Sequence, residues 1–177
     1  GRPTVHVTGS KGKGTTASMI AGILERAGNK TALFTSPHLH SFTERIAING
    51  EAISPAEFAA GIGAIKPAVD AERESVHGDV STFGVLTALF FWLVRSQVPR
   101  VDWQVVEVGL GGSFDVTNVI DPPEVAVITP ISLEHTAILG NTPREIARDK
   151  SGIIKPGTTV VVAPQQDPAV LEVVGER

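Results

Sequence analysis

The sequence predicts a three-layer α/β fold built on a mostly parallel sheet. Short runs rich in valine, isoleucine and threonine alternate with helix-like segments along the whole chain, and a glycine-rich turn joins the first run to the first helix. The predicted strands are Thr4–Thr8, Thr31–Thr35, Val101–Val108, Val125–Thr129 and Thr158–Ala163. The first two strands and the helix between them form a βαβ unit, whose strands should be parallel.

The predicted helices begin at recognisable capping residues. They cover Thr16–Ala27, Ala56–Ala71, Phe83–Arg95, a short segment after Thr142-Pro143, and Pro168–Val174. Ser54 has the residue type of an N-cap, Pro55 suits the first helical position, and Glu57 completes a capping box. The sequence Thr142-Pro143 repeats the hydroxyl and proline of this start. The helix Phe83–Arg95 is apolar nearly all round, which predicts a core position.

Two connections between these elements carry their own signals. Phe42–Gly50 alternates in polarity and ends on Asn49-Gly50, which predicts a β-hairpin. Ala71–Asp79 is charged and contains glycine, which predicts a solvated loop.

Composition excludes several classes of protein. The 177 residues suffice for one domain, and a formal net charge of -4 argues against a nucleic-acid-binding surface. The chain has no cysteine, which excludes disulfides, cysteine–zinc sites and thiol catalysis and fits a cytoplasmic location. The longest apolar stretch, Val85–Val94, is too short to cross a bilayer, so no membrane contact is expected. The abrupt start and end of the sequence suggest a piece of a longer protein.

The glycine-rich turn has the composition of a phosphate-binding loop. The predicted phosphate-binding residues are Gly9, Ser10, Lys11, Gly12, Lys13, Gly14, Thr15 and Thr16. Glycines let the backbone N–H groups approach an anion, and the following helix adds its positive end. Lys13 supplies a cation for phosphates, and the hydroxyl of Thr15 or Thr16 is suited to Mg²⁺. The sequence G-x-x-G-K-G-T departs from the usual P-loop because Val7 stands at its first glycine. A plain connection with a solvated Lys13 is the alternative.

Polar residues at other strand ends are the remaining site candidates. Glu107 ends a run of valines, where a carboxylate is costly unless it is paired or bound to a cation. Ser36, Pro37 and His38 follow the second strand, and His135 follows the fourth. The carboxyl ends of parallel strands lie at one edge of a sheet, where ligands collect.

Each of these candidates also has a purely structural interpretation. Glu107 could pair with a lysine, and His38 or His135 could simply be solvated. Lys150 could be a cation at a helix C-terminus. The loop residues Asp115, Thr117 and Asn118 could contact a substrate or form an Asx turn.

Taken together, six motifs in one order resemble a known family. They are Gly9-Ser10-Lys11-Gly12-Lys13-Gly14-Thr15, Thr35-Ser36-Pro37-His38-Leu39, Glu44-Arg45-Ile46 with Asn49-Gly50, Glu107-Val108-Gly109-Leu110-Gly111-Gly112 with Asp115, Thr117 and Asn118, Glu134-His135, and Asp149-Lys150-Ser151-Gly152-Ile153-Ile154-Lys155. This set resembles folylpolyglutamate synthase/dihydrofolate synthase, a branch of the Mur ligase superfamily. The resemblance covers nearly the whole chain.

The resemblance implies an ATP-dependent amide ligase. Residues 1–177 would be part of the ATP-binding domain, without the C-terminal glutamate-binding domain. ATP would phosphorylate the carboxylate of folate or dihydropteroate, and the amine of L-glutamate would then displace the phosphate. The full-length protein would be a monomer, and the 177 residues by themselves would bind nucleotide without turnover.

The same resemblance assigns roles to residues. Lys13 with Gly12, Gly14 and Thr15 would hold the triphosphate; Ser36, Glu107 and His135 would match one Mg²⁺ site. Lys150 would match a lysine that is often carbamylated to hold a second Mg²⁺, which requires its neutral amine. Lys13, Glu107, His135 and Lys150 would then be the catalytic residues, and Pro37, His38, Asp115, Thr117 and Asn118 the substrate contacts.

Four departures from the family pattern qualify the resemblance. Ser10-Lys11 replaces Thr-Asn, Ser113-Phe114 replaces Arg-Leu, Glu134 replaces Asp, and Ser151 replaces Ala. Because the arginine is absent from the polar loop, the choice of pterin substrate is the least supported part of the assignment. Another Mur-type amino-acid ligase and a non-catalytic nucleotide-binding module remain the alternatives. A switch GTPase is disfavoured because no guanine-reading Asn-Lys-x-Asp motif follows a late strand.

Overall fold

A computed structural model describes residues 2–76, 78–97, 100–120 and 122–177. The strands are β1 (Thr4–Thr8), β2 (Thr31–Phe34), β3 (Ile46–Ile48), β4 (Glu51–Ala52), β5 (Trp103–Glu107), β6 (Val125–Ile128) and β7 (Thr159–Val162). The helices are α1 (Lys13–Arg26), α2 (Pro55–Arg73), α3 (Thr82–Ser96), α4 (Thr136–Leu139), α5 (Pro143–Lys150) and α6 (Pro168–Gly175). Short 3₁₀ turns cover Phe42–Arg45 and Ser151–Ile153.

The strands form one sheet in the order β4-β3-β2-β5-β1-β6-β7. β2, β5, β1, β6 and β7 are parallel, and the hairpin of β3 and β4 adds an antiparallel edge. β1 lies at the centre between β5 and β6, so the chain crosses from one side of β1 to the other between these two strands. Such a crossing opens a crevice at the carboxyl ends of the strands, where α/β proteins bind ligands.

Helices cover both faces of the sheet, which confirms the three-layer prediction. α1 packs through Ala17 and Ala21 on Val5, Val7 and Val105. The other face carries α2 and α3, whose apolar residues enclose the stacked rings of Phe34 and Phe90. α5 and α6 pack beside them on Ile128. In the described part of the chain, no helix is both long enough and apolar enough to cross a membrane.

Most predicted elements are present, and their boundaries differ for local reasons. α1 begins at Lys13 rather than Thr16, because Gly12 takes the left-handed conformation (φ 80°) and its carbonyl accepts from Thr16 N at 2.9 Å. The predicted hairpin turns on Asn49-Gly50, but Phe42–Arg45 is a 3₁₀ turn stabilised by a capping box rather than a strand.

The loop predicted over Ala71–Asp79 begins later than expected. α2 continues to Arg73 and includes Pro67 within its length. His77, which belongs to the same predicted loop, lies outside the described residues.

β1 has two buried faces of different character. Val5 and Val7 face α1, whereas Thr4, His6 and Thr8 face the opposite side together with Val106 and Ala126 of the neighbouring strands. Buried polar side chains require partners. The hydroxyl of Thr4 donates to Arg2 O, and that of Thr8 donates to Gly111 O at 2.7 Å. The central strand therefore ties the loop that follows β5 to the sheet.

Two glycines of α2 provide a matched test of this packing. A Cβ at Gly63 would contact no other atom within 4 Å, whereas a Cβ at Gly61 would lie 2.3 Å from Leu89 Cδ1 in the core. We expect Gly63→Ala to raise the free energy of unfolding by about 0.5–1 kcal/mol. Gly61→Ala should lower it by about 1–3 kcal/mol through overpacking. Urea unfolding of the two variants measures the difference, and a stabilising Gly61→Ala would contradict the observed α2–α3 contact.

Candidate active site

The loop between β1 and α1 presents a helix start without a side-chain cap. Gly12 is the N-cap and provides no side-chain acceptor for the first-turn N–H groups of α1. Gly12 and Thr15 are exposed, and Lys13 and Gly14 are half-buried at the same helix start. Uncapped N–H groups and the positive end of the helix form an anion-binding site. The loop therefore has the backbone geometry expected of a phosphate-binding loop.

Hydrogen bonds to the loop after β6 hold this phosphate loop in place. Ser10 N donates to Pro130 O at 3.0 Å, and the hydroxyl of Ser10 donates to Ser132 O at 3.0 Å. Gly9 has φ 142°, and a Cβ there would lie 1.9 Å from Thr129 Oγ1. Ser10 therefore anchors the loop, whereas the side chain of Lys11 is exposed to solvent.

Glu107 brings a buried carboxylate to this loop. Its side chain is 3% exposed, and Oε2 accepts from Ser36 N at 2.8 Å. A Cβ added to Gly14 would lie 3.2 Å from the same oxygen, so the helix start touches the carboxylate. Burial raises the pKa of Glu107, while hydrogen bonds from Ser36 and Gly14 and the charges of Lys13 and Arg45 oppose the rise. The carboxylate is thus surrounded by donors and cations.

Lys150 reaches the phosphate loop from the end of α5. Its side chain is 1% exposed, and Nζ donates to Gly9 O at 3.0 Å and pairs with Glu134 Oε1 at 2.8 Å. Burial lowers the pKa of Lys150, and the bond and charge of Glu134 oppose this. The position is the helix C-terminus expected from sequence, but the ammonium is buried against the loop rather than solvated.

His135 follows β6 and therefore lies at the same edge of the sheet, next in sequence to the partner of Lys150. It is the N-cap of α4 with a left-handed backbone (φ 44°), and its side chain is exposed. Within the described ranges, no hydrogen bond or ion pair links its imidazole to Lys13, Glu107 or Lys150. In the same ranges no three His, Asp or Glu residues cluster as metal ligands. Its metal role therefore stays a prediction.

The segment after β2 places the backbone N–H of Ser36 against Glu107, whereas Pro37 and His38 make no hydrogen bond to that carboxylate in the described residues. The Ser36–Pro37 peptide is cis, and Pro37 is exposed. His38 accepts from Arg45 Nε at 2.9 Å through Nδ1, and its ring lies 4.4 Å from that of Phe42.

The polar loop after β5 is held by internal hydrogen bonds. Asp115 Oδ1 accepts from Thr117 N at 2.9 Å and from Thr117 Oγ1 at 2.5 Å, and Oδ2 accepts from Leu110 N at 2.9 Å. Asn118 donates to Ser113 O and Gly152 O. Thr117 is fully buried, and an Asx turn accounts for its two bonds to Asp115. Asp115 is partly accessible.

An apolar hollow of about 390 Å³ lies beside this loop. Phe83, Leu110, Asp115 and Asp149 contribute to its wall, and the fully accessible Phe114 stands at its rim. Burial raises the pKa of Asp149, and the charge of Asp115 adds to the rise. A larger and more open hollow on the outer surface of α1, lined by Met19 and Ile23, contains none of the residues described above. The hollow beside Asp115 is thus the better candidate for a substrate pocket.

Several residues of the site were not predicted from sequence. Glu134 pairs with Lys150, Asp149 lines the hollow, Ser132 and Thr129 support the phosphate loop, and His6 contacts Thr117. Glu134 and Asp149 directly precede the predicted site residues His135 and Lys150, and this adjacency is the only sequence signal that could have indicated them. Ser132, Thr129 and His6 are brought to the site by strand pairing.

The fold and this site define a phosphate-loop α/β domain of the Mur ligase type. A search against family models gives no match. The chain is 43% identical over 169 residues to dihydrofolate synthase/folylpolyglutamate synthase of Bacillus subtilis, covering 96% of this chain and 39% of that protein. It is 42% identical to the protein of the same name from Mycobacterium tuberculosis, covering 97% of this chain and 37% of that protein.

Solved structures agree with the sequence comparison. A folylpolyglutamate synthase complex with AMPPCP and folate superposes with a TM-score of 0.92 at 38% identity, covering 99% of this chain and 42% of that one. The Mycobacterium tuberculosis folylpolyglutamate synthase complexed with ADP superposes with a TM-score of 0.89 at 39% identity, with 99% and 40% covered. Over the residues it spans, the chain belongs to the folylpolyglutamate synthase/dihydrofolate synthase family. It covers about two fifths of the length of these relatives.

The position of Gly9 generates a test of the phosphate loop. Gly9→Ala forces a Cβ against Thr129 and a side chain into φ 142°. We expect at least a tenfold loss of ADP affinity, an order-of-magnitude estimate for displacing several backbone donors. Gly28→Ala is the matched control, because Gly28 has φ 89° and open space around its Cβ position at the far end of α1. Isothermal titration with ADP compares the two variants, and equal affinities would contradict the assignment of the loop.

The burial of His6 generates a test of pH dependence. Burial lowers the pKa of His6 from 6.5 to about 4, with a smaller lowering by Lys155 and an opposing rise from Asp115. The unfolded chain therefore binds a proton between pH 6.5 and pH 4 that the folded chain does not, and stability falls as pH falls through this window. The expected loss between pH 7 and pH 4.5 is about 2 kcal/mol. Urea unfolding at pH 7 and pH 4.5 measures it, and His6→Gln should lack this part of the slope.

Proposed function

We propose that this chain supplies the ATP site of an ATP-dependent ligase that adds L-glutamate to a folate or to dihydropteroate. The substrate carboxylate attacks the γ-phosphorus of ATP, releasing ADP and forming an acyl phosphate. The amine of glutamate then attacks the acyl carbon, the C–O bond to phosphate breaks, and an amide and inorganic phosphate result. Both steps bring anions together, so cations and oriented N–H groups must offset their repulsion.

The phosphate loop supplies those groups, and the carboxylate of Glu107 is suited to hold a metal cation beside it. The first-turn N–H groups of α1 other than that of Gly14, which bonds to Glu107, bind the β- and γ-phosphates together with the ammonium of Lys13. Lys11 adds a second cation at the rim. The residues that would hold Mg²⁺ are Glu107, Thr15 and Ser36. One carboxylate with hydroxyl groups fits Mg²⁺, which in nucleotide sites takes few protein ligands besides phosphate oxygens. When bound, the ion neutralises charge on the transferring phosphoryl group.

Lys150 has two chemically distinct roles within this proposal. As an ammonium it fixes Gly9 O and Glu134 at the base of the phosphate loop. As a carbamate it would be an anionic ligand for a second Mg²⁺, and burial favours the neutral amine that carbamylation requires. Glu134 favours the ammonium, so the modification is a proposal that mass spectrometry of the native protein tests directly.

The hollow beside Asp115 is the proposed site of the folate ring. The flat ring of a pterin suits an apolar wall containing Phe83, and its N–H groups suit a carboxylate acceptor. Asp115 Oδ2 accepts from Leu110 N, and a carboxylate oxygen can accept a second bond. The loop that carries Asp115 also contacts β1 through Gly111 and Thr8, just before the phosphate loop.

One observation carries the proposal: the phosphate loop, a buried carboxylate and a buried lysine meet at one edge of the sheet, next to a hollow that suits a flat ring. A nucleotide-binding module without catalysis would not require Glu107 to be buried against the helix start. The folylpolyglutamate synthase complex with AMPPCP and folate has the same arrangement of strands and helices over this chain, which supports the proposal.

The full-length protein tests this function. We expect phosphate release from ATP that depends on both glutamate and either dihydropteroate or tetrahydrofolate. The 177 residues alone should bind ADP without ligation. If phosphate is released only with acceptors other than dihydropteroate and tetrahydrofolate, the protein is another amino-acid ligase. If the protein binds nucleotide but releases no phosphate with any acceptor, it is a binding module.

Glu107→Gln tests the carboxylate at the centre of the site. The substitution keeps the shape and removes the charge, so we expect kcat to fall by about 10²–10³-fold, as for loss of one electrostatic group. Glu51→Gln is the matched control, since Glu51 is exposed on β4. Steady-state phosphate release measures both variants, and unchanged turnover in Glu107→Gln would remove Glu107 from the mechanism.

A further inference from the structure

His6 is a buried imidazole that the proposed chemistry does not use. It lies in the middle of β1 and is fully buried on the face that meets the loop after β5. Its Nε2 lies 2.9 Å from Thr117 Oγ1. Its Nδ1 is buried and has no hydrogen-bond partner among the residues that the structure describes.

The hydrogen bonds of Thr117 determine where the proton of this imidazole resides. The hydroxyl of Thr117 has one proton, and it donates that proton to Asp115 Oδ1 at 2.5 Å. The contact with His6 must therefore be one in which Nε2–H donates to Thr117 Oγ1. The imidazole is neutral, consistent with the lowering of its pKa to about 4 by burial. Nδ1 then carries a lone pair that accepts from no donor in the described part of the chain.

The unpaired Nδ1 lowers the stability of the fold, and the hydrogen bond from Nε2 to Thr117 is what this imidazole provides in return. An unpaired buried polar atom destabilises a fold, whereas an aliphatic side chain at the centre of β1 would not incur that cost. The bond to Thr117 extends to Asp115, because Oδ1 accepts from both the hydroxyl and the N–H of Thr117. With Oδ1 occupied twice, Oδ2 is the oxygen with capacity for a further donor.

We propose that His6 is a positioning residue, which acts through Thr117 to orient the Asp115 carboxylate for the ring of the folate substrate. This inference rests on the proposed function of the hollow beside Asp115. It also gives β1 a second role, because the same strand ends in the phosphate loop and holds Gly111 through Thr8. One rigid strand thereby fixes both the nucleotide loop and the substrate loop.

Kinetics of the full-length protein with three variants test the positioning role. His6→Leu and Thr117→Val remove the relay, and His6→Gln retains an N–H donor on a neutral side chain. Thr4→Val is the matched control, because Thr4 is buried on the same face of β1 and bonds to Arg2 and Gln104 instead. We expect His6→Leu and Thr117→Val each to raise the KM for the folate by about tenfold, an order-of-magnitude estimate for one hydrogen bond to a charged group. The KM for ATP should change less than twofold.

Rescue and coupling distinguish positioning from simple destabilisation. His6→Gln should restore the KM for the folate to within about threefold of wild type, since a donor is again available to Thr117. His6→Leu should have no further effect in a Thr117→Val background, because the two residues act in series. Equal rises in both KM values, additive effects, or the same change in Thr4→Val would overturn the proposal.

An Asp115→Asn variant separates failure of this inference from failure of the proposed function. If Asp115→Asn leaves the KM for the folate unchanged, the assigned folate site is wrong and the positioning role falls with it. If Asp115→Asn raises that KM but His6→Leu and Thr117→Val do not, the folate site stands and the role of His6 is overturned.

The tautomer of His6 is a further readout that does not depend on activity. Nitrogen NMR at pH 7 should show a protonated Nε2 and an unprotonated Nδ1. If Nδ1 carries the proton instead, Thr117 donates to His6 rather than to Asp115, and the relay does not exist.

Discussion

The site depends on a buried cation held by two oxygens. The ammonium of Lys150 lies between Gly9 O and Glu134 and is almost completely removed from water. Without either oxygen, a buried charge would be strongly destabilising, and without the ammonium Glu134 would lack its partner. This pairing connects the end of α5, the loop after β6 and the phosphate loop. One buried charged contact thus links these three segments, in addition to the hydrogen bonds of Ser10 to the loop after β6.

β1 extends the same constraint to the substrate side. Its apolar face packs on α1, so the helix that follows the phosphate loop is fixed to the strand that precedes the loop. Its polar face bonds to the loop containing Gly111, Asp115 and Thr117. In the proposed function, this single strand would set the distance between the bound nucleotide and the acceptor carboxylate. In-line transfer of a phosphoryl group requires the attacking and leaving atoms to be held in fixed positions.

The sequence predicted the order of strands and helices, the phosphate loop and the importance of Glu107 and Lys150, and the structure confirms the fold. Hydrophobic periodicity and capping residues are local signals, and they were sufficient for these elements. Local signals did not predict the start of α1 at Lys13, because that boundary depends on the left-handed backbone of Gly12. The predicted metal role of His135 and the substrate contacts of Pro37, His38, Thr117 and Asn118 remain predictions.

By itself, the sequence determined which segments form strands, where a phosphate could bind and which family the motifs resemble, since glycine spacing and residue order are encoded locally. The tertiary structure alone decided that Lys150 is buried against Gly9, that Glu134 is its partner and that His6 reaches Thr117. The contacts of Lys150 with Gly9 and of His6 with Thr117 join residues more than a hundred positions apart. The pair of Lys150 and Glu134 joins the end of α5 to the loop after β6. Their geometry follows from the order of the strands in the sheet, which no local pattern specifies.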